Sequence, residues 1–286
     1  MRFELTSEQR ELRAATRGLL ARRCGRDALR EAVREPGIDR ALWRELGAAG
    51  LFALCLPESA GGLGRGLPEA VVVFEECGRA LLPGPVVATF LAAGEVPEAA
   101  RGAAVVTRPC HGLVPWLDAA DTVLGDVTDA APLASADPLT PLHTAPGDPA
   151  RAPGEAVLLY AAEQLGSAGR TLDMAVQHAR ERQQFGRPVG SFQAVKHLCA
   201  DMLVRTEVAR AAVYAAAVTR DPVEIAAAHL LAGEAAVRGA RDCLQIHGGM
   251  GFTWEADVHL HLKRAWVRAE LAGGARAAEE ALAAAL

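Results

Sequence analysis

Eleven of the sixteen prolines in this 286-residue chain fall between positions 83 and 153. Proline donates no backbone hydrogen bond and cannot continue a helix interior, so this stretch is closed to long helices and to a large regular sheet. It splits the chain into three expected parts: an N-terminal helical domain over 1–82, a reduced, Pro-rich middle over 83–153, and a C-terminal helical bundle over 154–286. Apolar runs at 103–106, 113–117 and 123–124 give the middle room for a few short strands, but not for a complete barrel or sandwich.

The flanking parts carry helical signals. Thr6-Ser7-Glu8-Gln9 has the spacing of a capping box, and Leu12, Ala15, Leu19 and Leu20 follow at helical intervals. A second helix is expected over about 39–49, with Leu42, Trp43 and Leu46 on one stripe. A third opens at Pro68 and is closed by Pro83. Beyond the middle, long helices are expected over 154–182, 192–220 and 221–246, the last opened by Asp221 as cap and Pro222 in its first turn. Gly248-Gly249 breaks it, and two further helices, about 256–272 and 275–286, end the chain. Four long helices with short connections form an antiparallel bundle. The expected fold class is therefore mainly α.

Composition narrows the function. With 51% hydrophobic and 23% charged residues the chain has the balance of a soluble globular protein. A net charge of −5 and a pI near 5.9 argue against nucleic acid as a partner. The six cysteines are scattered with no C-x-x-C pair, which fits reduced thiols better than a disulfide framework or a zinc site, and no metal is expected. No membrane-spanning run occurs. Met1-Arg2-Phe3-Glu4-Leu5 goes straight into a polar helix start, so a cytoplasmic location is expected.

Three segments carry more specific information. Leu56-Pro57-Glu58-Ser59-Ala60-Gly61-Gly62-Leu63-Gly64 precedes the third helix. Arg182-Gln183-Gln184-Phe185-Gly186-Arg187-Pro188, with Phe192-Gln193-Ala194-Val195, joins two bundle helices. Gln245-Ile246-His247-Gly248-Gly249-Met250-Gly251-Phe252 ends the third long helix. In this order, along helices of this length, they resemble the acyl-CoA dehydrogenase family. That resemblance implies FAD as cofactor, an acyl-CoA thioester as substrate, and an electron-transfer flavoprotein or similar acceptor. It also implies that Arg182 and Gln193 contact the FAD pyrophosphate and its surroundings from a neighbouring subunit, with Gln184, Phe185, Gln245, Gly248 and Gly249 beside them. A guanidinium suits a pyrophosphate because its forked donors never lose their charge, and glycines let the backbone approach a bulky ligand.

Other readings of the same residues stay open. The glycine turn also serves as a helix C-cap, and His247 is as consistent with a structural hydrogen bond as with chemistry. His259 and His261, two apart, face different directions and read as surface residues. Trp43, Trp116, Trp254 and Trp266 read mostly as core anchors, with Trp254 also placed to line a ligand groove.

The chain departs from the family pattern in two ways. Nothing between 83 and 153 resembles the large β domain that holds the flavin ring and the thioester. The two positions that carry the catalytic glutamate in different family branches fall on Ala156 and Ala272. Glu155, Glu255 and Glu270 lie nearby as weak candidate bases. Together these departures resemble the shortened, non-catalytic chain of actinobacterial heteromeric (α2β2) acyl-CoA dehydrogenases, which act on steroid and other ring-bearing thioesters. The implied role is to complete the FAD site of a second, acyl-CoA dehydrogenase-like subunit, the isolated chain being inactive. A non-redox scaffold of the same fold, or a flavin-independent enzyme acting on a CoA thioester, are the alternatives.

Overall fold

The computed structural model describes residues 4–146 and 150–285. Met1-Arg2-Phe3 at the expected helix approach, Gly147-Asp148-Pro149 in the middle and Leu286 at the end of the last expected helix lie outside the described residues. The fold is mainly α, with helical N- and C-terminal parts around a small β-containing middle.

The capping box forms as its spacing requires. The Thr6 hydroxyl accepts from the Gln9 N–H at 3.2 Å and Gln9 Oε1 accepts from the Thr6 N–H at 3.1 Å, opening α1 (Ser7–Arg23). A short helix that no apolar stripe announced, α2 (Arg26–Arg34), follows. It has no fully buried residue and rests on the body through Leu29, Ala32 and Val33. Asp39 caps α3 (Arg40–Ala48) by accepting from the Ala41 and Leu42 amides at 2.9 Å.

The next helix, α4 (Leu67–Arg79), is buried along most of its length and crosses the first bundle helix, α7 (Gly154–Glu181). Glycines set how closely they approach. A Cβ added to Gly78 would fall 2.0 Å from the Glu163 carbonyl oxygen, and one on Gly166 only 1.8 Å from that of Glu75. The two backbones touch where a side chain would keep them apart.

The Pro-rich middle contains the expected short strands, but also helix. α5 (Val86–Ala92) and α6 (Pro97–Ala100) each start at a proline, Pro85 at the cap and Pro97 in the first turn, where the missing N–H has no partner to lose. β1 (Val106–Thr107) pairs in parallel with β3 (Thr122–Val123). β2 (Leu113–Pro115) and β4 (Ala131–Leu133) flank β5 (Leu142–Thr144), both antiparallel to it. A buried ion pair ties this segment to the rest: Asp137, fully buried, accepts from Arg264, which also donates to the Leu82 and Leu139 carbonyls at 3.2 and 3.1 Å.

The bundle consists of α7, α8 (Gln193–Thr219), α9 (Pro222–His247), α10 (Val258–Leu271) and α11 (Gly274–Ala284). Asp221 caps α9 by accepting from the Val223 and Glu224 amides, with Pro222 in the first turn. Because the connections are short, α8 runs opposite to α7 and α9, and those two end at the same end of the bundle. α9 lies centrally, against α7, α8, α10 and α11. Its inward residues Ala228, Ala232, Ala235 and Ala240 are small, as are Ala161, Ala168 and Ala175 on α7, so the helices pack closely. Trp43 and Trp116 are core residues as expected, but Trp254 and Trp266 are 59% and 40% exposed and anchor no core.

Candidate functional site

A compact apolar patch fixes the end of the bundle where α7 and α9 finish. Ala175 and Ala179 meet Met202, Ala240, Cys243 and Leu244 there, with Val258 and Leu262 closing the cluster. On top of it, the His178 and His247 rings stack with centroids 4.0 Å apart, and His247 Nδ1 lies 2.8 Å from the Cys243 carbonyl oxygen. Burial, then His247 and Arg182, push the His178 imidazole below its usual value, which favours its neutral form. The stack joins the last turn of α7 to the last turn of α9. It therefore brings Arg182 and the glycine turn to one end of the molecule.

Arg182 caps α7, its backbone N–H bonded to the His178 carbonyl at 2.8 Å. From there β6 (Gln183–Gln184) and β7 (Arg187–Pro188) form a two-residue hairpin. Phe185 and Gly186 occupy its tip with φ of 52° and 75°, the left-handed pair that a tight hairpin turn demands. The Phe185 ring is 90% exposed, 6.1 Å edge-on from Phe192, and Arg187 stacks over Phe192 at 4.3 Å. Gln193 begins α8 and Gln245 ends the solvent side of α9, both exposed. Among the described residues, the side chains of Arg182, Gln193 and Gln245 make no hydrogen bond or ion pair, whereas Gln184 Nε2 donates to the Gln183 carbonyl at 2.8 Å.

The glycines of the turn divide by role. Gly251 is buried, and a Cβ there would meet the Leu244 carbonyl oxygen at 2.6 Å, so packing alone accounts for it. Gly248 and Gly249 have nothing within 4 Å of such a Cβ. Their backbone is uncovered, and Met250 and Phe252 of the same turn are exposed. A free guanidinium, two free amide side chains, an uncovered glycine backbone and aromatic faces make a surface suited to a pyrophosphate with an attached ring system. Arg182, Gln193, Gln245 and the uncovered Gly248-Gly249 backbone are chemically suited to FAD.

The candidate bases do not join them. Glu155 opens α7, 27 residues before Arg182, which places it about 40 Å away along the helix axis. Glu270, in the last turn of α10, precedes the Gly273–Gly274 turn, and Glu255 follows the glycine turn; all three are exposed. Ala156 and Ala272 are buried, at 3% and 6% exposure. Next to Ala272, a Cβ on Gly273 would fall 2.8 Å from the His111 ring, so this imidazole occupies the space. Nearby, the gap between the middle segment and the bundle beside Trp116, Tyr160 and Leu271 is about 30 Å³, the share of about one water molecule.

The histidines of α10 correct the surface reading. His261 is 4% exposed and sits in the core, and His259 is half-buried with its ring edge-on to Trp254 at 4.7 Å. α10 is covered on more than one face, by α9, α7 and the middle segment, so two residues facing apart both meet protein. Among the described residues no group of three or more His, Cys, Asp or Glu is arranged to hold a metal ion, and no helix is long and apolar enough to cross a membrane. Sequence reasoning missed His178, although it stands one turn before Arg182 on the same helix face.

Comparison with known proteins matches residues 6–97 to the N-terminal domain of acyl-CoA dehydrogenases and residues 156–286 to their C-terminal domain. The acyl-CoA dehydrogenase IpdE2 of Mycobacterium tuberculosis is 39% identical, the match covering 92% of each chain. Among solved structures, the ChsE4-ChsE5 complex from Mycobacterium tuberculosis superposes with a TM-score of 0.83 at 26% identity, over 99% of this chain and 98% of that one. The Tcur3481-Tcur3483 steroid acyl-CoA dehydrogenase, solved as a variant, superposes with a TM-score of 0.85 at 26% identity, over 96% of each chain.

Proposed function

The chain belongs to the acyl-CoA dehydrogenase family, and from that membership we propose that it is the non-catalytic subunit of a heteromeric, flavin-dependent enzyme, whose FAD site it completes from outside. The observation that carries this reading is a mismatch within one chain. The end of the bundle that bears Arg182, Gln193, Gln245 and bare Gly248-Gly249 is open and unpartnered, while both family positions for the base are buried alanines.

α,β-Desaturation of a thioester needs a carboxylate to take the α-proton while hydride leaves the β-carbon. A bound flavin supplies the hydride acceptor. This chain's own residues are suited to holding the cofactor in place. Arg182 offers a permanent positive charge to a pyrophosphate, Gln193 and Gln245 offer amide donors, and Gly248 and Gly249 admit the ligand to the backbone. Positioning a cofactor firmly is a contribution to rate even from a subunit that holds no base.

The catalytic carboxylate, the thioester pocket and the flavin-ring contacts then belong to a second acyl-CoA dehydrogenase-like subunit, in an α2β2 assembly. Both solved structures compared above pair two different chains, which supports this arrangement. The steroid substrate named for one of them supports a bulky ring-bearing CoA thioester as the substrate class. Electrons leave through an electron-transfer flavoprotein or similar acceptor.

The test is co-expression with such a subunit, followed by flavin content and subunit ratio in the purified complex. About one FAD per pair of unlike chains, lost on Arg182→Ala while the chains stay associated, is the expected result. Full flavin loading of the isolated chain, or an Arg182→Ala complex that keeps its FAD, overturns the reading. A complex that forms without any flavin moves the weight to a non-redox scaffold.

A further inference from the structure

α2 is loosely seated on the body. It has no fully buried residue, and cavities of about 280 and 370 Å³ lie against it. An element with so few buried apolar contacts opens easily. What ties it down is polar. Arg26 Nε donates to Asp257 Oδ2 at 3.1 Å and its Nη2 to the Glu255 carbonyl at 2.5 Å, while Arg30 donates to Asp257 Oδ1 and to the Trp254 carbonyl. The two arginines stand one helical turn apart, so both reach the same segment. Their acceptors lie at least 224 positions later in the chain.

Residues 254–257 lead from the glycine turn into α10. The turn is fixed at its α9 end, where Gly251 packs against the Leu244 carbonyl. At its other end Thr253 folds back, its hydroxyl and N–H both donating to the Met250 carbonyl at 2.8 and 3.1 Å, and the Ala256 N–H donates to the Thr253 carbonyl at 3.2 Å. A shift of 254–257 therefore passes to Met250 and the glycines before it. Among the described residues, the hydrogen bonds that reach 254–257 from beyond the turn and α10 are those of Arg26 and Arg30. Asp257 stands at the cap position of α10, where Asp ordinarily accepts from amides of its own helix. Its side chain caps nothing there and gives both oxygens to the arginines.

We propose that Arg30, Arg26 and Asp257 are positioning residues for the flavin, a clamp that holds the glycine turn in the conformation in which Gly248 and Gly249 meet the cofactor. The proposal rests on the flavin reading given above. Arg30 carries most of it, because it and Asp257 are partly buried and its fork spans a carboxylate and a carbonyl, whereas the Arg26 side chain is 64% exposed and screened by solvent.

The test uses the co-expressed complex, diluted serially, with the FAD dissociation constant read from flavin fluorescence. Subunit ratio and far-UV circular dichroism check that each variant is intact, and Arg182→Ala is the control. Arg30→Met should weaken FAD by about ten-fold or more, the equivalent of one charge-assisted hydrogen bond. Asp257→Asn, which keeps the shape and removes the charge, should act in the same direction, and decides alone if Arg30→Met fails to assemble. The double variant should bind no more weakly than the worse single one, since the two residues act as a unit. Arg30→Lys should recover part of the affinity, because an ammonium replaces the fork but keeps the charge. Arg34→Met, which breaks an exposed pair within α2, should leave flavin binding unchanged. If Arg30→Met and Asp257→Asn keep their FAD while Arg182→Ala loses it, or if Arg34→Met weakens FAD as much as Arg30→Met, the clamp is overturned and the flavin reading stands. If Arg182→Ala keeps its FAD as well, both are overturned.

Discussion

Arg264 carries a charge into the core and is held there by one carboxylate and two backbone carbonyls, which makes it a sensitive single residue. Removing one partner of a buried pair strands the other, at a cost of about 3–5 kcal/mol. Arg264→Met should therefore lower stability by that amount in urea unfolding, because Asp137 remains buried. Arg276→Ala, which breaks the exposed pair with Glu280, should leave the curve unmoved. Burial and the neighbouring arginines 170, 268, 264 and 79 hold His261 well below 6.5, so it is neutral when folded, whereas the unfolded chain takes up a proton near that value. Its contribution is thus fully present above about pH 6.5 and is lost as the pH falls. The slope is about 1.4 kcal/mol per pH unit for this one group. Unfolding measured between pH 7.5 and 5 should be less acid-sensitive in His261→Asn by about that slope. None of this was legible in the sequence. A histidine two residues from another states which way it faces, not what packs there, and Asp137 lies 127 residues before Arg264.

Helices in this fold are separated or joined by single glycines, and the same substitution should act in opposite directions at two of them. At Gly166 a methyl group would overlap the α4 backbone, and such overpacking costs about 1–3 kcal/mol or more. Gly233 on α9 has nothing within 4 Å, so an alanine there gains helix propensity of about 1 kcal/mol. Gly166→Ala should lower the melting temperature and Gly233→Ala should raise it, in a pair of thermal scans. A sequence shows both as helix glycines and cannot separate them, because the difference lies in a helix almost ninety residues away. What it does show is punctuation. Thr6 and Asp221 cap the helices expected of them, and Asp39, expected as a first helical residue, is the cap of its helix, since a cap is a contact within three residues. α2 carries no comparable signal because it rests on the body through only a few half-buried side chains, and α5 is masked because prolines mark helix starts as well as strand and loop positions.

The whole molecule is asymmetric in what it leaves uncovered, and this asymmetry is what the two bundle motifs, 182–195 and 245–252, encoded. One end of the bundle carries Arg182 with exposed Phe185 on its hairpin, and exposed Met250 and Phe252 on the glycine turn. Exposed large apolar side chains beside polar groups suit a surface that another molecule covers. The two bundle segments were legible because each is a local turn with exposed aromatics, Phe185 and Phe252, that serve no core packing. That they share one end follows from α7 and α9 running the same way, which helix count and loop length already implied. If a second subunit brings its flavin to this end, the contacts divide into two classes with separable effects. Phe252, 78% exposed, carries no charge for a pyrophosphate and gains most by being buried against the partner. A buried interface aromatic is commonly worth about 2 kcal/mol or more, so Phe252→Ser should raise the subunit dissociation constant by about thirty-fold, with flavin content per intact complex unchanged. Arg182→Ala should do the reverse, stripping flavin while the subunits still associate. Tryptophan emission reports on the same event, since the 59% exposed Trp254 indole should shift to the blue when the partner is added, an effect that Trp254→Phe should remove. Emission that stays fixed while a complex forms would place the partner on another face, and the Arg182 surface would then need a different occupant.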